Sequence, residues 1–175
     1  MSNYKRIFLP DHYIFITMVT KCRNLILIDN IELLRNSFKT VKKKYNFEIY
    51  GIVILPDHVH MILFPEIVHQ YPSVIASIKW HFSRHMEPVF ELMSESNFHR
   101  REKGIWQRRY YEHTIRDEEE LYKYLNYIHY NPVKHGYTKN VKDWEFSSFQ
   151  KFADMGYYID EYKCFDDTEH FEDLD

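Results

Sequence analysis

Cysteine is scarce in this chain: two in 175 residues. Cys22 and Cys164 stand alone, far apart and in no metal-type pair. That excludes a disulfide scaffold and a cysteine-based zinc site. Long apolar runs are missing as well. No window approaches the ~20 apolar residues that a membrane span requires. The first ten residues, Met1 to Pro10, lack the apolar stretch of a signal peptide. Internal repeats and low-complexity tracts are also absent. The expectation is a soluble protein of a reducing, cytoplasmic compartment, with no membrane partner.

Apolar and aromatic residues are plentiful. Hydrophobic residues make up 45% and aromatics 18%, with 15 tyrosines, ample for one buried core. The net charge of −3 conceals an asymmetry. From Asp154 onward there are nine acidic residues and one basic one, Lys163, leaving 22 Lys+Arg against 17 Asp+Glu before them. A body at +5 followed by an acidic tail is compatible with a polyanionic partner. The sequence predicts a single domain over residues 1–153 and an acidic tail over 154–175.

Hydrophobic periodicity outlines the elements. Tyr13 to Val19 is apolar on both faces, as in a central strand. Asp29 and Glu32 resemble a capping box, and Ile31, Leu34, Phe38, Val41 and Tyr45 then recur at helical spacing. Their opposite face carries Lys39, Lys42, Lys43 and Lys44, in the manner of a solvated surface. Phe47 to Leu55 reads as a second strand, hairpinned through Pro56-Asp57 into a third. A second helix spans Ser73 to about Met86, with Ile75, Ile78 and Phe82 inward. Met93 to Gly104 has no period and reads as a loop. Ile105 to Ile115 reads as a fourth strand. Asp117-Glu118-Glu119-Glu120 opens a third helix with acids where the helix dipole favours them. The order β-α-β-β-α-β plus a helix predicts an α+β fold, the ferredoxin-like split βαβ arrangement with an antiparallel sheet and an added C-terminal helix.

Within the third strand, Leu55-Pro56-Asp57-His58-Val59-His60-Met61-Ile62-Leu63-Phe64, side chains alternate between faces. His58, His60, Ile62 and Phe64 share one face, and two imidazoles at i and i+2 can reach one small cation. An ordinary pair of hydrogen-bonded surface histidines would look the same. On the last helix, Tyr124, Tyr127 and Asn131 form a stripe beside the Leu121/Leu125/Ile128 core face. From there a tyrosine hydroxyl and an amide oxygen can sit next to whatever the histidines hold. A core role for Tyr127 and a helix-ending role for Asn131 before Pro132 are the competing explanations. Asp57 points away from His58 if the strand begins there, and is not counted as a ligand.

Leu55 to His60 resembles the His-hydrophobe-His motif of single-tyrosine HUH transposases. Tyr127-Ile128-His129-Tyr130-Asn131-Pro132-Val133-Lys134-His135-Gly136 resembles the tyrosine-helix signature of their REP-associated branch. Ile105 to His113 and Asp143 to Phe149 are similar to further parts of that branch's pattern, in the right order from Tyr4 to Lys151. The resemblance implies metal-dependent cleavage and strand transfer of single-stranded DNA through a covalent 5′-phosphotyrosine. Tyr127 would be the nucleophile and His58, His60 and Asn131 the ligands of Mg²⁺ or Mn²⁺. Imidazole and oxygen ligation suits Mn²⁺ and is compatible with Zn²⁺. The implied partner is DNA with hairpin structure, and the protein would act as a monomer or a homodimer.

Phosphate contacts are expected from Lys79, Arg84, Arg108, Arg109 and Lys134, with Arg100 and Arg101 as further candidates. Trp80, Phe98, Tyr110 and Tyr111 are candidates for stacking on unpaired bases. His113 and His129 fit second-layer, DNA-facing or plain surface positions. Two other functions compete: a nucleic-acid-binding module without cleavage, and a metal-dependent phosphoesterase. The latter needs a second His-x-Thr/Ser, whereas Glu112-His113-Thr114 has His and Thr adjacent.

Overall fold

The computed structural model describes Arg6, residues 8–100 and residues 102–158. Four strands form one antiparallel sheet in the order β2-β3-β1-β4: β1 Ile14–Val19, β2 Phe47–Ile54, β3 His58–Pro65 and β4 Tyr111–Thr114. β3 pairs with both β1 and β2, so β1 and β2 run in one direction with β3 inserted between them. That split arises because α1 (Ile31–Lys42) crosses from β1 to β2, while the tight Pro56-Asp57 turn folds β3 straight back. Leu55 N–H donates to the His58 carbonyl at 2.9 Å, closing that turn.

The sheet has two covered faces. Ile16, Met18, Val59 and Met61 pack with α1 and α2 (Tyr71–Arg84), which bury Leu34, Val41, Ile75 and Phe82. Phe15, Val53 and Ile62 pack on the other side against α4 (Glu118–Lys134) through Leu125, Tyr127 and Ile128. A strand covered on both sides needs apolar residues at odd and even positions alike, and β1 and β3 have them. Among the described residues no helix is long and apolar enough to cross a membrane.

The elements depart from the sequence-based expectations at five places. The Asp29/Glu32 box does not form: α1 follows Asn30, whose side chain turns back to the Ile26 carbonyl. Met93 to Gly104 is not simply a loop but contains α3 (Glu95–Arg100), tied down by buried Asn97, whose Oδ1 accepts from Ser94 and Lys21. Regular pairing in the fourth strand begins only at Tyr111, while Trp106 meets Thr20 in an isolated bridge. Helix α4 does not end at Asn131. It runs through Pro132 to Lys134 and stops at Gly136, at φ 72°. There Gly136 N–H bonds to the Val133 carbonyl and Tyr137 N–H to the Pro132 carbonyl, both at 2.9 Å. That is a Schellman ending, which requires a residue in the left-handed region. The missing N–H of Pro132 forfeits one bond of the ladder without stopping it.

The fifth departure concerns the C-terminal boundary. Packing continues past residue 153: α5 (Phe149–Asp154) and Tyr158 belong to the α4-side core. The segment before α5 seals the open edge of β2. Ile54 N–H bonds to the Phe146 carbonyl, Ser148 N–H to that of Ile52, and the Trp144 indole to that of Ile54. The rest of the expected acidic tail, residues 159–175, lies outside the described residues. His129, read from sequence as a second-layer, DNA-facing or surface residue, is fully buried and structural. Its ring bridges Ser148 Oγ at 2.8 Å and the Tyr158 hydroxyl at 2.5 Å. Burial pushes its pKa down to about 3.

This packing has two measurable consequences. A Cβ at Gly51 would sit 2.6 Å from Leu125 Cδ1, so Gly51→Ala should cost about 1–3 kcal/mol in urea unfolding through overpacking. His129 stays neutral when folded, whereas the unfolded chain takes up its proton below pH ~6.5. Stability should therefore fall as pH drops from ~6.5 towards 3, by up to about 1.4 kcal/mol per pH unit from this residue. His129→Gln should flatten that dependence in urea titrations run at successive pH values.

Candidate active site

The site is built on the α4-facing side of β3, where the strand's period of two leaves His58 and His60 in line. Both are buried, 1% and 0% exposed, and their ring centroids lie 4.7 Å apart. Each ring is oriented through Nδ1. His58 Nδ1 donates to Asp57 Oδ1 at 2.6 Å, and His60 Nδ1 shares a 2.8 Å hydrogen bond with Thr17 Oγ1 on β1. The Phe15 ring stacks on His60 at 5.5 Å. Such partners on Nδ1 fix ring orientation and leave Nε2 as the nitrogen for a ligand.

Asp57 is therefore part of the site as an orienting carboxylate. Burial alone would raise its pKa, but the hydrogen bond from His58, joined by the Arg23 guanidinium at 2.9 Å, outweighs it and lowers the pKa to about 2. Arg23 reaches this position from a strained turn in which Cys22 and Arg23 both have φ 52°, a conformation that side chains other than glycine adopt at a cost. A carboxylate only accepts, so His58 Nδ1 carries a proton, and in its neutral form the ring presents a lone pair at Nε2. That lone pair faces Asn131 Oδ1 at 3.4 Å. With the ring neutral both atoms are acceptors, and an imidazole nitrogen and an amide oxygen this close are chemically able to share a cation. His60, on the same strand face, supplies a second imidazole. Among the described residues no group of three or more His, Cys, Asp or Glu side chains is arranged for a metal.

Helix α4 brings in the tyrosine. Asp117 caps it by accepting from Glu120 N–H at 2.8 Å, and Glu120 accepts from Arg116 N–H at 2.7 Å. Tyr127 lies one turn before Asn131 on the same side, with its ring centroid 5.1 Å from that of His60. The Lys134 ammonium lies 5.1 Å from the Tyr127 ring centroid. Tyr127 and Asn131, expected near the sheet surface, are instead 1% and 0% exposed. A helix packed flush on the sheet buries the stripe beside its core face along with the core face itself.

The remaining candidates separate by place. Arg84, Arg109 and Lys134 are exposed. Arg108 is exposed and bonds to Ser96 and Glu102. Lys79 departs from its expected role: its ammonium is held by the Gln107 carbonyl at 2.5 Å and lies over the Trp106 and Tyr110 rings. Burial lowers its pKa to about 8. It staples α2 to the segment before β4. Arg101 lies outside the described residues. His113 bonds to Glu120 at 2.9 Å and stacks on Tyr124. Sequence reasoning missed Thr17, Arg23 and His135, whose ring lies 5.2 Å from that of His58 at the mouth of the site. Only Thr17 carried a local signal, a polar residue within an otherwise apolar strand.

Comparison with known proteins decides the family. The family described as "Transposase IS200 like" matches residues 9–131, a span that contains His58, His60, Tyr127 and Asn131. The chain belongs to the IS200-like transposase family. It is 42% identical over 153 residues to a REP-associated tyrosine transposase of Haemophilus influenzae, covering 86% of this chain and 87% of that one. It is 34% identical over 160 residues to the REP-associated tyrosine transposase of Escherichia coli, covering 90% and 88%. A solved structure of a REP-associated tyrosine transposase bound to a REP hairpin superposes with a TM-score of 0.74. It is 33% identical, over 89% of this chain and 87% of that one.

The Asp57 arrangement makes a prediction independent of any ligand. Asp57→Ala should destabilise the fold by about 1.5–3 kcal/mol, the range for hydrogen bonds to charged groups. In the wild type the carboxylate's contribution is present in full above pH ~4, its unfolded pKa, and is lost as pH falls through about 2. Acid titration of both proteins by circular dichroism would reveal the difference.

Proposed function

We propose that this transposase-family protein cuts and rejoins single-stranded DNA beside hairpins, with a ferredoxin-like core of the HUH type and Tyr127 as nucleophile. One observation carries the reading. Tyr127 and Asn131 of α4 meet His58 and His60 of β3, with His58 Nε2 3.4 Å from Asn131 Oδ1 and the Tyr127 ring 5.1 Å from His60. The relative solved with a REP hairpin supports hairpin DNA as the substrate class.

In this reading the Tyr127 oxygen attacks the scissile phosphorus. A bond forms from Tyr127 to the 5′-phosphate, the bond to the 3′-oxygen breaks, the tyrosine gives up its proton and the 3′-oxygen gains one. The free 3′-hydroxyl can later reverse the step. A divalent cation, Mg²⁺ or Mn²⁺, held by His58, His60 and Asn131 would polarise the phosphate and offset charge on the departing oxygen. Asp57 and Thr17 hold the two imidazoles with Nε2 outward. Lys134 beside Tyr127 contributes positive charge where the phosphate arrives. Arg84, Arg108 and Arg109 carry flanking phosphates. A tyrosine hydroxyl is a poor nucleophile at its reference pKa near 10, so orientation and nearby cations are its means of activation.

The burial of Tyr127 favours a second reading, a hairpin-binding protein that does not cleave. One assay separates the two. Labelled single-stranded hairpins from the gene's own flanking DNA, incubated with Mn²⁺ and run on a denaturing gel, should yield a protein–DNA adduct. Chelation, Tyr127→Phe, His58→Ala and His60→Ala should each reduce the adduct at least ~100-fold, the scale of losing a nucleophile or a metal site. An undiminished adduct from Tyr127→Phe would sink the assignment. Tight binding without any adduct would establish the second reading.

A further inference from the structure

A cavity of about 570 Å³ opens between α2 and the segment 97–110, on the sheet face opposite the histidines. Its volume lies within the ~300–1,000 Å³ of ligand pockets. Ile75, Ile105 and Trp106 of the α1/α2-side core reach its wall, and so does the half-buried Lys79. None of His58, His60, Tyr127 or Asn131 lines it.

Lys79 is placed in this wall as an amine more than as a solvated charge. Its Nζ donates to the Gln107 carbonyl at 2.5 Å, lies 3.4 Å from that of Arg108, and sits over the Trp106 and Tyr110 rings. Burial lowers its pKa to about 8, against the opposite pull of the Glu102 carboxylate. At pH 8 about half of such a group is neutral, whereas a lysine at the ordinary ~10.4 is less than ~1% neutral. The neutral amine keeps two N–H groups for the two carbonyls and turns its lone pair away from them. A desolvated lysine with a lone pair to offer is a nucleophile.

The rest of the lining suits an anion. Arg84, Arg100, Lys103 and Arg108 outnumber one carboxylate, Glu102, which is engaged by Asn97 at 2.6 Å and by Arg108 at 3.4 Å. Lys103 serves the protein itself, on the Arg84 and Met86 carbonyls, while Arg84 and Arg100 are exposed. Trp106 adds a second pointer. Its Nε1 is buried and finds no hydrogen-bond acceptor among the described residues. A buried donor without an acceptor is costly, and an anionic ligand against this residue would supply one.

We propose that this cavity is a modification site, in which Lys79 is acylated by a small acyl phosphate whose phosphate is gathered by Arg84 and Arg100. The Lys79 nitrogen attacks the acyl carbon and a C–N bond forms. The bond from that carbon to the bridging oxygen breaks, its electron pair leaves on inorganic phosphate, and the surplus proton of the amine goes to the departing phosphate. The product amide has no charge and one N–H, so a single carbonyl keeps a partner where the amine held two. The reaction thereby weakens the staple between α2 and the segment before β4. It does not depend on the DNA-processing reading above.

Acetyl phosphate is the probe that tests it, incubated with the folded protein at pH 8 and followed by peptide mass spectrometry. Lys79 should acquire acetyl groups about tenfold faster than exposed Lys39 and Lys43, its excess of neutral amine being partly offset by weaker basicity. Its rate should saturate with acetyl phosphate, and inorganic phosphate should slow it while leaving Lys39 and Lys43 unchanged. Replacing both arginines, Arg84→Gln with Arg100→Gln, should raise the half-saturating concentration several-fold at Lys79 alone. An uncharged acetyl thioester should modify Lys79 without saturation and without competition by phosphate. Modification of Lys79 no faster than that of Lys39 and Lys43 would overturn the site. So would a rate at Lys79 that rises linearly with acetyl phosphate and ignores inorganic phosphate, the behaviour of a reactive side chain without an anion pocket.

Discussion

The candidate site depends on how closely α4 lies against the sheet. Gly51 on β2 makes that approach possible: its missing Cβ is the space that the Leu125 methyl occupies. A β-bulge between Ile49 and Gly51 marks the same place. With Leu125 seated there, the 3.6-residue period of the helix delivers Tyr127 and then Asn131 to the histidine face of β3. A Cβ at position 51 would meet the Leu125 methyl at 2.6 Å and press on the helix that holds Asn131 Oδ1 3.4 Å from His58. Packing and the geometry of the candidate site thus meet at one backbone position outside the site itself.

The closeness is held from the other side as well. His129 points away from the candidate site and bonds to Ser148 and Tyr158, so the C-terminal segment fastens α4 to the edge of β2. That edge would otherwise be a row of unpaired backbone groups. Covering it with residues 144–148 protects the sheet and fixes the helix in one arrangement. The fastening is acid-sensitive, because a buried neutral imidazole gives way once the unfolded chain can take up its proton. At the site, by contrast, the Asp57 carboxylate stays ionised to about pH 2, so acid should undo the outer brace well before it disturbs the orientation of His58.

Positive charge on this protein divides into two kinds. Lys79 and Lys103 point inward to carbonyls and knit α2 to the segment before β4. Arg84, Arg100, Arg109 and Lys134 are exposed residues, with the Lys134 ammonium beside the Tyr127 ring and the Arg84 guanidinium over that of Trp80. A long side chain can do either, since its stem is apolar and only its tip needs a partner. Lys79 is drawn to the Gln107 carbonyl in the irregular stretch before β4, and Lys103 to the carbonyls of Arg84 and Met86 at and just past the end of α2.

By itself the sequence determined what is local. Alternation along residues 58–64 places His58 and His60 on one face, because successive strand side chains point to opposite sides. Asp117 and Glu120 begin α4 because they answer its free N–H groups. The Tyr127/Asn131 stripe follows from helical period alone, while the role attached to it came from resemblance to a family. Tertiary structure decided the rest. Pro132 looked like the end of α4, yet the left-handed Gly136 ends it, since a helix docked along its length can forgo one hydrogen bond. Asp57 was set aside as facing away from His58, but it lies in the turn before the strand, where alternation does not hold. Thr17 became the partner of His60 only through the pairing of β1 with β3. The close seat of α4 on the sheet, with Leu125 against Gly51, joins residues distant in the chain. A periodicity reports which residues share a face, and only the packed fold determines what that face meets.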